Sequence, residues 1–178
     1  MIAITGHTGG IGQEIYSRFN PDTLGFSLSN GYDITDRTSR KKIINAARDC
    51  DVFINNAAAG YGQVDLLIEL FTEWKDNSKL IINVGSRIAE VMLGESHLHL
   101  LQYSAQKKAL KSTVNEIQGY NCKVDYVWFA YVGTDKILAK YPHFTEADYI
   151  SVAAAADLIM QPVWDYLSLR GSLLAPAS

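Results

Sequence analysis

The sequence predicts a single α/β domain in which helices cover both faces of a parallel sheet. Short apolar segments alternate with helical patterns along all 178 residues, and strands that alternate with helices are joined by right-handed crossovers. The predicted strands are nearly continuous in Val, Ile and Leu, which is typical of sheets that are buried on both sides. No linker, repeat or low-complexity tract divides the chain, so we expect one domain over residues 1–178.

The predicted elements follow one another closely. A first strand at 1–4 leads into a helix that Asn20-Pro21-Asp22 ends. Thr38 or Ser39 is expected to cap the second helix, which carries apolar residues at helical spacing. The other strands are expected at 24–28, 52–57, 79–84 and 124–129, with an edge strand at 172–175, and the other helices at 64–74, 100–117 and 147–160.

The composition argues against several kinds of partner. A net charge of −3 gives no electrostatic basis for binding nucleic acid or an anionic membrane. The basic run Arg40-Lys41-Lys42 lies in a predicted helix and is expected to be a solvated face. No apolar run approaches the roughly 20 residues that span a bilayer, and we expect no signal peptide. Cys50 and Cys122 lack metal or redox spacing, so we expect no metal and a reducing compartment, the cytoplasm.

A glycine-rich turn directly follows the first predicted strand. It reads Thr5-Gly6-His7-Thr8-Gly9-Gly10-Ile11-Gly12 and leads straight into a helix. Gly6 allows a sharp turn, Gly10 lets backbone approach a pyrophosphate, and Gly12 lets the helix pack close to the sheet. The free N–H groups of the first helical turn then face the phosphates. The turn therefore indicates a nucleotide site, and the lack of a following Lys-Ser/Thr excludes a Walker A loop.

Tyr103 and Lys107 are four residues apart and therefore share one face of a helix. A nearby ammonium favours the phenolate and is expected to lower the tyrosine pKa. The phenol could then exchange a proton with a carbonyl or alcohol oxygen. Such a pair is more often a surface pair, but the glycine turn earlier in the chain favours the catalytic interpretation.

Several motifs, in order, resemble those of the short-chain dehydrogenase/reductase family. They are Thr-Gly-x-x-x-Gly-Ile-Gly from residue 5, Asp33-Ile34-Thr35-Asp36, Asn55-Asn56-Ala57-Ala58, Asn83-Val84-Gly85-Ser86 and Tyr103-Ser104-Ala105-Gln106-Lys107. The resemblance implies a Rossmann-type doubly wound fold and an NAD(P)-dependent oxidoreductase that interconverts a carbonyl and an alcohol. The hydride would belong to the cofactor.

The resemblance also assigns roles to individual residues. Tyr103 would be the general acid/base, Lys107 would lower its pKa and hold the nicotinamide ribose, and Ser86 would polarise the substrate oxygen. Because the gap from Ser86 to Tyr103 is longer than the family usually has, Ser96 and Ser104 remain alternatives. Asp33 would meet the adenine and Thr134 the nicotinamide carboxamide. The full set of expected cofactor contacts is Gly6, His7, Thr8, Gly10, Ile11, Ser29, Asp33, Ile34, Asn56, Ala57, Ala58, Tyr103, Lys107, Val132 and Thr134, with His7 alternatively a partly exposed loop residue.

The chain departs from the family in its trimmed second and fourth helical regions. Few residues separate the second predicted strand from Asp33, and the segment from Asn56 to Ser86 is short. The family's fourth catalytic residue, an Asn in the helix before the serine strand, has no clear counterpart. Asp65 is the nearest candidate by position.

The sequence slightly favours NADP(H) over NAD(H) as the cofactor. NAD-binding sites place an acidic residue at the end of the second strand, where this chain has Ser27, Ser29 and Asn30. Arg37 and Arg40 could reach a 2′-phosphate from the next helix.

Three further points stay open at this stage. Aromatic residues near the nicotinamide could line a substrate pocket or form core and lid packing. These residues are Tyr61, Phe129, Tyr131, Tyr141 and Phe144. The expected assembly is a homodimer through the two helices that flank the serine strand. The competing hypothesis to an enzyme is a catalytically inactive dinucleotide-binding sensor or scaffold.

Overall fold

The computed structural model describes residues 1–170 and contains one parallel five-stranded sheet. The strand order is β2-β1-β3-β4-β5, so the chain extends the sheet first on one side of β1 and then on the other. This arrangement confirms the doubly wound prediction. The edge strand expected at 172–175 lies outside the described residues. The strands are β1 (Ile2–Thr5), β2 (Thr23–Phe26), β3 (Val52–Asn55), β4 (Leu80–Ser86) and β5 (Lys123–Phe129).

Within residues 1–170, six α-helices connect and follow these strands. They are α1 (Gly10–Phe19), α2 (Arg37–Ala46), α3 (Gly62–Trp74), α4 (Leu101–Glu116), α5 (Asp135–Lys140) and α6 (Val152–Leu169). Only a one-turn 3₁₀ helix at Leu28–Asn30 separates β2 from the segment that leads to α2, as the trimmed second region predicts. Two more 3₁₀ helices, Arg87–Ala89 and Glu95–Leu100, fill the long link between β4 and α4.

Two helix starts differ from the predicted ones. The cap of α2 is Asp36, whose carboxylate accepts a hydrogen bond from the Ser39 N–H at 2.7 Å. Helix α6 begins at Val152 because the Ser151 hydroxyl caps it. The residues before it are held in a turn by Asp148, which accepts two hydrogen bonds from Thr145. In both helices, the side chain of the residue just before the first helical residue accepts a hydrogen bond from a backbone N–H of the first turn, and this cap fixes where the helix begins.

Each face of the sheet has its own apolar core. One core lies between the sheet and α2, α3 and α4, and the other lies between the sheet and α1 and α6. All four residues of β1 and all four of β3 are buried. The strands are therefore covered on both sides, which explains their unbroken apolar sequence. Within residues 1–170 no helix is long and apolar enough to cross a membrane.

Arg40 corrects one expectation about the basic run on α2. Its side chain is buried, with 6% of its surface exposed. The guanidinium binds both carboxylate oxygens of Glu69 on α3, at 2.9 and 3.1 Å, and donates to the Ile34 and Thr35 carbonyls. Lys41 and Lys42 are exposed as expected. Arg40 thus joins α2 to α3 and is not free to bind a phosphate.

Candidate active site

The predicted motifs meet at the carboxyl edge of the sheet. The chain reverses its direction of winding between β1 and β3, and ligands of doubly wound folds bind at such a switch point. The glycine turn follows β1, Asn56 follows β3, Ser86 ends β4, and Thr134 follows β5. The fold therefore places four sequence motifs along one crevice.

The glycine turn has a conformation that only glycine adopts readily. Gly6 and Gly10 have φ values of +73° and +52°, in the left-handed region. A Cβ at Gly12 would collide with the Gly6 carbonyl oxygen and would lie 2.8 Å from the Asn56 Nδ2. The cap residue Gly9 offers no side chain to the N-terminus of α1. These residues fit a phosphate group, because the first N–H groups of α1 are left without a side-chain cap.

Asn56 and Thr5 connect the ends of β3 and β1. The Asn56 Nδ2 donates to the Thr5 carbonyl, and the Thr5 Oγ1 accepts from the N–H groups of Asn56 and Ala57, each at 3.0 Å. On the opposite side of the loop, a Cβ at Gly10 would lie 2.9 Å from the Thr134 Cγ2. The predicted contacts from three loops are thus neighbours of the glycine turn.

His7 is a packing residue of the glycine turn. Its ring lies 4.8 Å from the Tyr16 ring, centroid to centroid, and presses against Gly25 so closely that a Cβ there would collide with it. The His7 Nδ1 is buried and has no hydrogen-bond partner among the described residues. The side chain therefore orients the turn against β2.

Three of the expected cofactor contacts contribute apolar side chains to the cores. Ile34 is 5% exposed and packs on the α3 side, whereas Ile11 and Val132 pack on the α6 side. Their side chains pack against the cores, and the contact of these three residues with a cofactor stays a prediction. By contrast Thr8, Ser29 and Ala58 are exposed at this edge.

The Asp33 carboxylate stabilises the turn in which Asp33 lies. One of its oxygens accepts from the Thr35 N–H at 2.8 Å and from the Thr35 hydroxyl at 2.7 Å. The backbone hydrogen bond is the main cause of a lowered Asp33 pKa. The other carboxylate oxygen accepts no hydrogen bond from the described residues.

Ser86, Tyr103 and Lys107 come together as predicted. Ser86 is buried at the end of β4, and its hydroxyl accepts from the Ile88 N–H at 3.4 Å. Ser86 lies close enough to the Tyr103 phenol to lower its pKa, against the effect of burial. The Lys107 Nζ lies 5.7 Å from the centre of the Tyr103 ring. The trio therefore has the neighbourhood that proton exchange with a substrate oxygen needs.

The pKa of Tyr103 is raised, in contrast to the lowering that the sequence predicted. Burial of the phenol raises the Tyr103 pKa, although 39% of the residue surface is exposed, and the Ser86 hydrogen bond only opposes that shift. Burial also lowers the pKa of Lys107 to about 8. The Lys107 ammonium is hydrogen-bonded to groups on α3 and β4 and not to the phenol.

Gln63 is the residue that sequence reasoning missed. Its Oε1 accepts from the Lys107 Nζ at 2.7 Å, and the Val84 carbonyl accepts from the same ammonium at 3.0 Å. Asp65, the candidate by position, pairs instead with Arg40 at 3.6 Å and is largely exposed. The available signal was the amide side chain at the start of α3, just before the predicted helix start.

Ser104, one of the two alternative serines, forms a hydrogen bond of its own away from Tyr103. Ser104 is buried and donates its hydroxyl proton to the Ile88 carbonyl at 3.2 Å, which connects α4 to the 3₁₀ helix at Arg87–Ala89. The side chain of Ser96 lies outside the described part of the chain. Ser86 thus stays the candidate beside Tyr103.

The aromatic residues divide between core and lid. Phe129 is buried in the α6-side core, and Tyr61 is half exposed at the start of α3. Tyr131, Tyr141 and Phe144 pack on one another, with ring centroids 4.8 to 5.5 Å apart. These three belong to the segment from β5 to α6, so the lid-packing interpretation fits them and the core interpretation fits Phe129.

Gly85 makes room for an aromatic ring beside the site. A Cβ at Gly85 would collide with the Tyr126 ring, lying 2.5 Å from its Cε2. The Tyr126 hydroxyl is buried without a hydrogen-bond partner among the described residues, and burial raises its pKa. The residue before Ser86 is therefore fixed as glycine by the ring on β5.

We expect Gly85→Ala to destabilise the protein by about 1–3 kcal/mol, because overpacking shifts a ring or a strand. Urea denaturation measures this change. A second variant, Tyr126→Leu, removes the ring, so the double variant should be more stable than the sum of the single effects allows. Additive effects of the two substitutions would contradict the packing account.

Comparisons with known proteins found solved structures that share this fold. No protein-family model matches the chain, and no curated protein matches it. A short-chain dehydrogenase of Burkholderia cenocepacia, solved with NADP, is 18% identical with a TM-score of 0.70, covering 98% of this chain and 97% of that one. A short-chain dehydrogenase/reductase of unknown function from Caenorhabditis elegans, solved with cofactor, is 17% identical with a TM-score of 0.71, covering 96% and 89%. One from Burkholderia phymatum, solved with NAD, is 13% identical with a TM-score of 0.67, covering 93% and 86%. The chain thus has the fold of the short-chain dehydrogenases/reductases.

Proposed function

We propose that this chain is an NAD(P)-dependent oxidoreductase of the short-chain dehydrogenase/reductase family that interconverts a carbonyl and an alcohol. The observation that carries the proposal is the Tyr103 phenol beside both Ser86 and Lys107. The trio lies at the edge of the sheet where the glycine turn opens α1. The structural neighbours solved with NADP, NADPH or NAD support a dinucleotide in this crevice.

The residues divide the chemistry among them. A bound NAD(P)H supplies the hydride. Tyr103 donates a proton to the carbonyl oxygen, or removes one from the alcohol, and Ser86 hydrogen-bonds that oxygen. Lys107 holds the ribose hydroxyls, and its positive charge favours the phenolate when the alcohol is oxidised. Gly6, Gly10 and the N-terminus of α1 hold the phosphates.

We favour NADP(H) over NAD(H) as the coenzyme. The turn after β2 presents Ser29, which is exposed, and no carboxylate from residue 27 to residue 30. Arg40 is already bound to Glu69, so Arg37, exposed in the first turn of α2, is the remaining arginine for a 2′-phosphate. The expected preference for NADPH over NADH depends on these few side chains, so titration of the protein with each coenzyme measures it directly.

Fluorescence titration with NADH and with NADPH tests the proposal. We expect binding in the micromolar range, tighter for NADPH, seen as quenching of tryptophan and enhancement of nicotinamide emission. Arg37→Ala should weaken NADPH binding and leave NADH binding unchanged, with Lys41→Ala as the control. No binding of either coenzyme would contradict the proposal.

The competing hypothesis is a dinucleotide-binding sensor or scaffold. The raised Tyr103 pKa and the pairing of Lys107 away from the phenol are the observations in its favour. A panel of aldehydes and ketones separates the two hypotheses. Coenzyme oxidation that depends on a carbonyl supports the enzyme, whereas coenzyme binding without turnover on any of them supports the sensor.

We also propose a homodimer that pairs through α3 and α4. Ile68 on α3 and Leu101 on α4 are large apolar residues with 47% and 58% of their surfaces exposed. Gel filtration with light scattering should give twice the chain mass, and a monomer would refute the pairing.

A further inference from the structure

We propose that Gln63 is the positioning residue for Lys107, holding its ammonium through a neutral amide where the family's Asn has no counterpart. The catalytic importance of this contact rests on the proposed function, but the contact itself does not. Gln63 and Lys107 are each 4% exposed. A buried ammonium needs hydrogen-bond acceptors, because burial without them is costly.

The amide can take only one orientation in this site. Its Nε2 donates to the carbonyls of Asn55, at 2.7 Å, and Val84, at 3.0 Å. Its Oε1 faces the Lys107 Nζ at 2.7 Å. Turned over, the amide would place its oxygen against two carbonyl oxygens and its NH₂ against an ammonium. The backbone of β3 and β4 therefore fixes which end of Gln63 meets the lysine.

The Gln63 backbone is held as well as its side chain. The Asn55 Nδ2 donates to the Gln63 carbonyl and to the Asn83 Oδ1, each at 2.9 Å. Gln63 lies in the first turn of α3, so its long side chain spans the ends of β3 and β4 to reach α4. One residue thus joins three elements around the ammonium.

A neutral acceptor has a specific consequence for the charge of the site. A carboxylate at this position would neutralise the ammonium, whereas an amide holds it and leaves a net positive charge. That charge can then act on the Tyr103 phenol and on ribose hydroxyls, which are the roles given to Lys107. Gln63 acts only through Lys107 and is for that reason not itself a catalytic residue.

Most of the other charged groups on the elements packed around α4 pair with one another and not with Lys107. Tyr103 on the same helix is the group whose ring lies within 6 Å of the ammonium. Burial lowers the pKa of Lys107, and no carboxylate of the described residues forms an ion pair with its ammonium. On the elements that pack around α4, the carboxylates of Asp65 and Glu69 pair with Arg40, and Glu90 pairs with Lys111. The His97 ring stacks on that of His99. Tyr126 packs against Gly85, and Asp125 is exposed on β5.

Two substitutions of Gln63 should move the Lys107 pKa in opposite directions. Gln63→Met keeps the length and removes the acceptor, so the ammonium is less favoured and the pKa should fall by about one unit. Gln63→Glu places a carboxylate against the ammonium, so the pKa should rise. The readout is an NMR titration of ¹³Cε-labelled lysine, with the Lys107 signal assigned by its loss in Lys107→Met.

Gln118 offers a control for the loss of an amide that is bound to the backbone. Its side chain, just after α4, also donates to two backbone carbonyls, those of Val114 and Val124, and does not meet Lys107. Gln118 is exposed, so Gln118→Met should lower the stability less than Gln63→Met does, and it should leave the Lys107 pKa unchanged. A purely structural Gln63 would likewise leave the Lys107 pKa unchanged.

The coenzyme measurement completes the test. If the wild-type chain binds NADPH, Gln63→Met should weaken that binding about tenfold and Gln118→Met should not. If the wild type binds no coenzyme, the proposed function fails, and the lysine titration still decides the role of Gln63. An unchanged Lys107 pKa in Gln63→Met overturns the inference, and if that variant does not fold, an unchanged pKa in Gln63→Glu overturns it.

Discussion

Replacing Tyr103 by Phe should reduce carbonyl turnover by about 10³-fold while leaving coenzyme affinity nearly intact. Loss of a positioned proton donor costs about 10²–10⁴-fold in rate, and the ring itself, which packs beside Lys107 and Ser86, is retained. The measurement is kcat with a carbonyl that the wild type reduces, together with the NADPH dissociation constant of both proteins.

A second tyrosine provides the control for this substitution. Tyr61 is half exposed at the start of α3, and the Tyr61→Phe variant should keep wild-type turnover. Wild-type turnover in Tyr103→Phe would contradict the assignment of the proton donor. A matched loss of NADPH binding in Tyr103→Phe would instead show that the phenol serves binding.

Gly12→Ala should abolish coenzyme binding and lower the stability by several kcal/mol. The new Cβ would collide with the Gly6 carbonyl oxygen and crowd the Asn56 amide, so β1 and α1 could not both keep their places. Close approach of helix and strand is what this glycine permits in dinucleotide-binding turns. Thermal or urea unfolding and NADPH titration measure the two effects.

The same turn contains its own control. Gly9 precedes Gly10 at the cap of α1, has a φ of −162°, and a Cβ there would meet nothing within 4 Å. Gly9→Ala should therefore change the stability little. Equal damage from both substitutions would show that the turn tolerates no side chain anywhere and would contradict the specific role of Gly12.

The sequence predicted those parts of the site that depend on local spacing. The glycine turn, the end of β4 at Ser86 and the Tyr103–Lys107 pair are each set within one element and the loop beside it, so a linear pattern reveals them. The parallel sheet then follows from the alternation of strands and helices. Their convergence at one edge is a property of the topology, which the strand order confirms.

The missed features depend on contacts between distant residues. Lys107 meets Gln63 across 44 positions of sequence, and the burial of Arg40 depends on Glu69, 29 positions away. A basic residue on a predicted helix gives no sign that a glutamate on another helix will enclose it. The Ile34 side chain likewise packs in the core through contacts with distant elements, which its motif alone does not show.

The most direct test of the central claim is transfer of deuterium to a carbonyl substrate from NADPH that carries deuterium at both C4 positions of the nicotinamide, so that either hydride face gives a labelled product. The substrate is one that the wild type reduces in the carbonyl panel. We predict that mass spectrometry will find one deuterium on the carbinol carbon of the alcohol with wild-type protein, and almost no labelled product with Tyr103→Phe. Coenzyme that binds but transfers no deuterium to any carbonyl in the panel would contradict the oxidoreductase assignment.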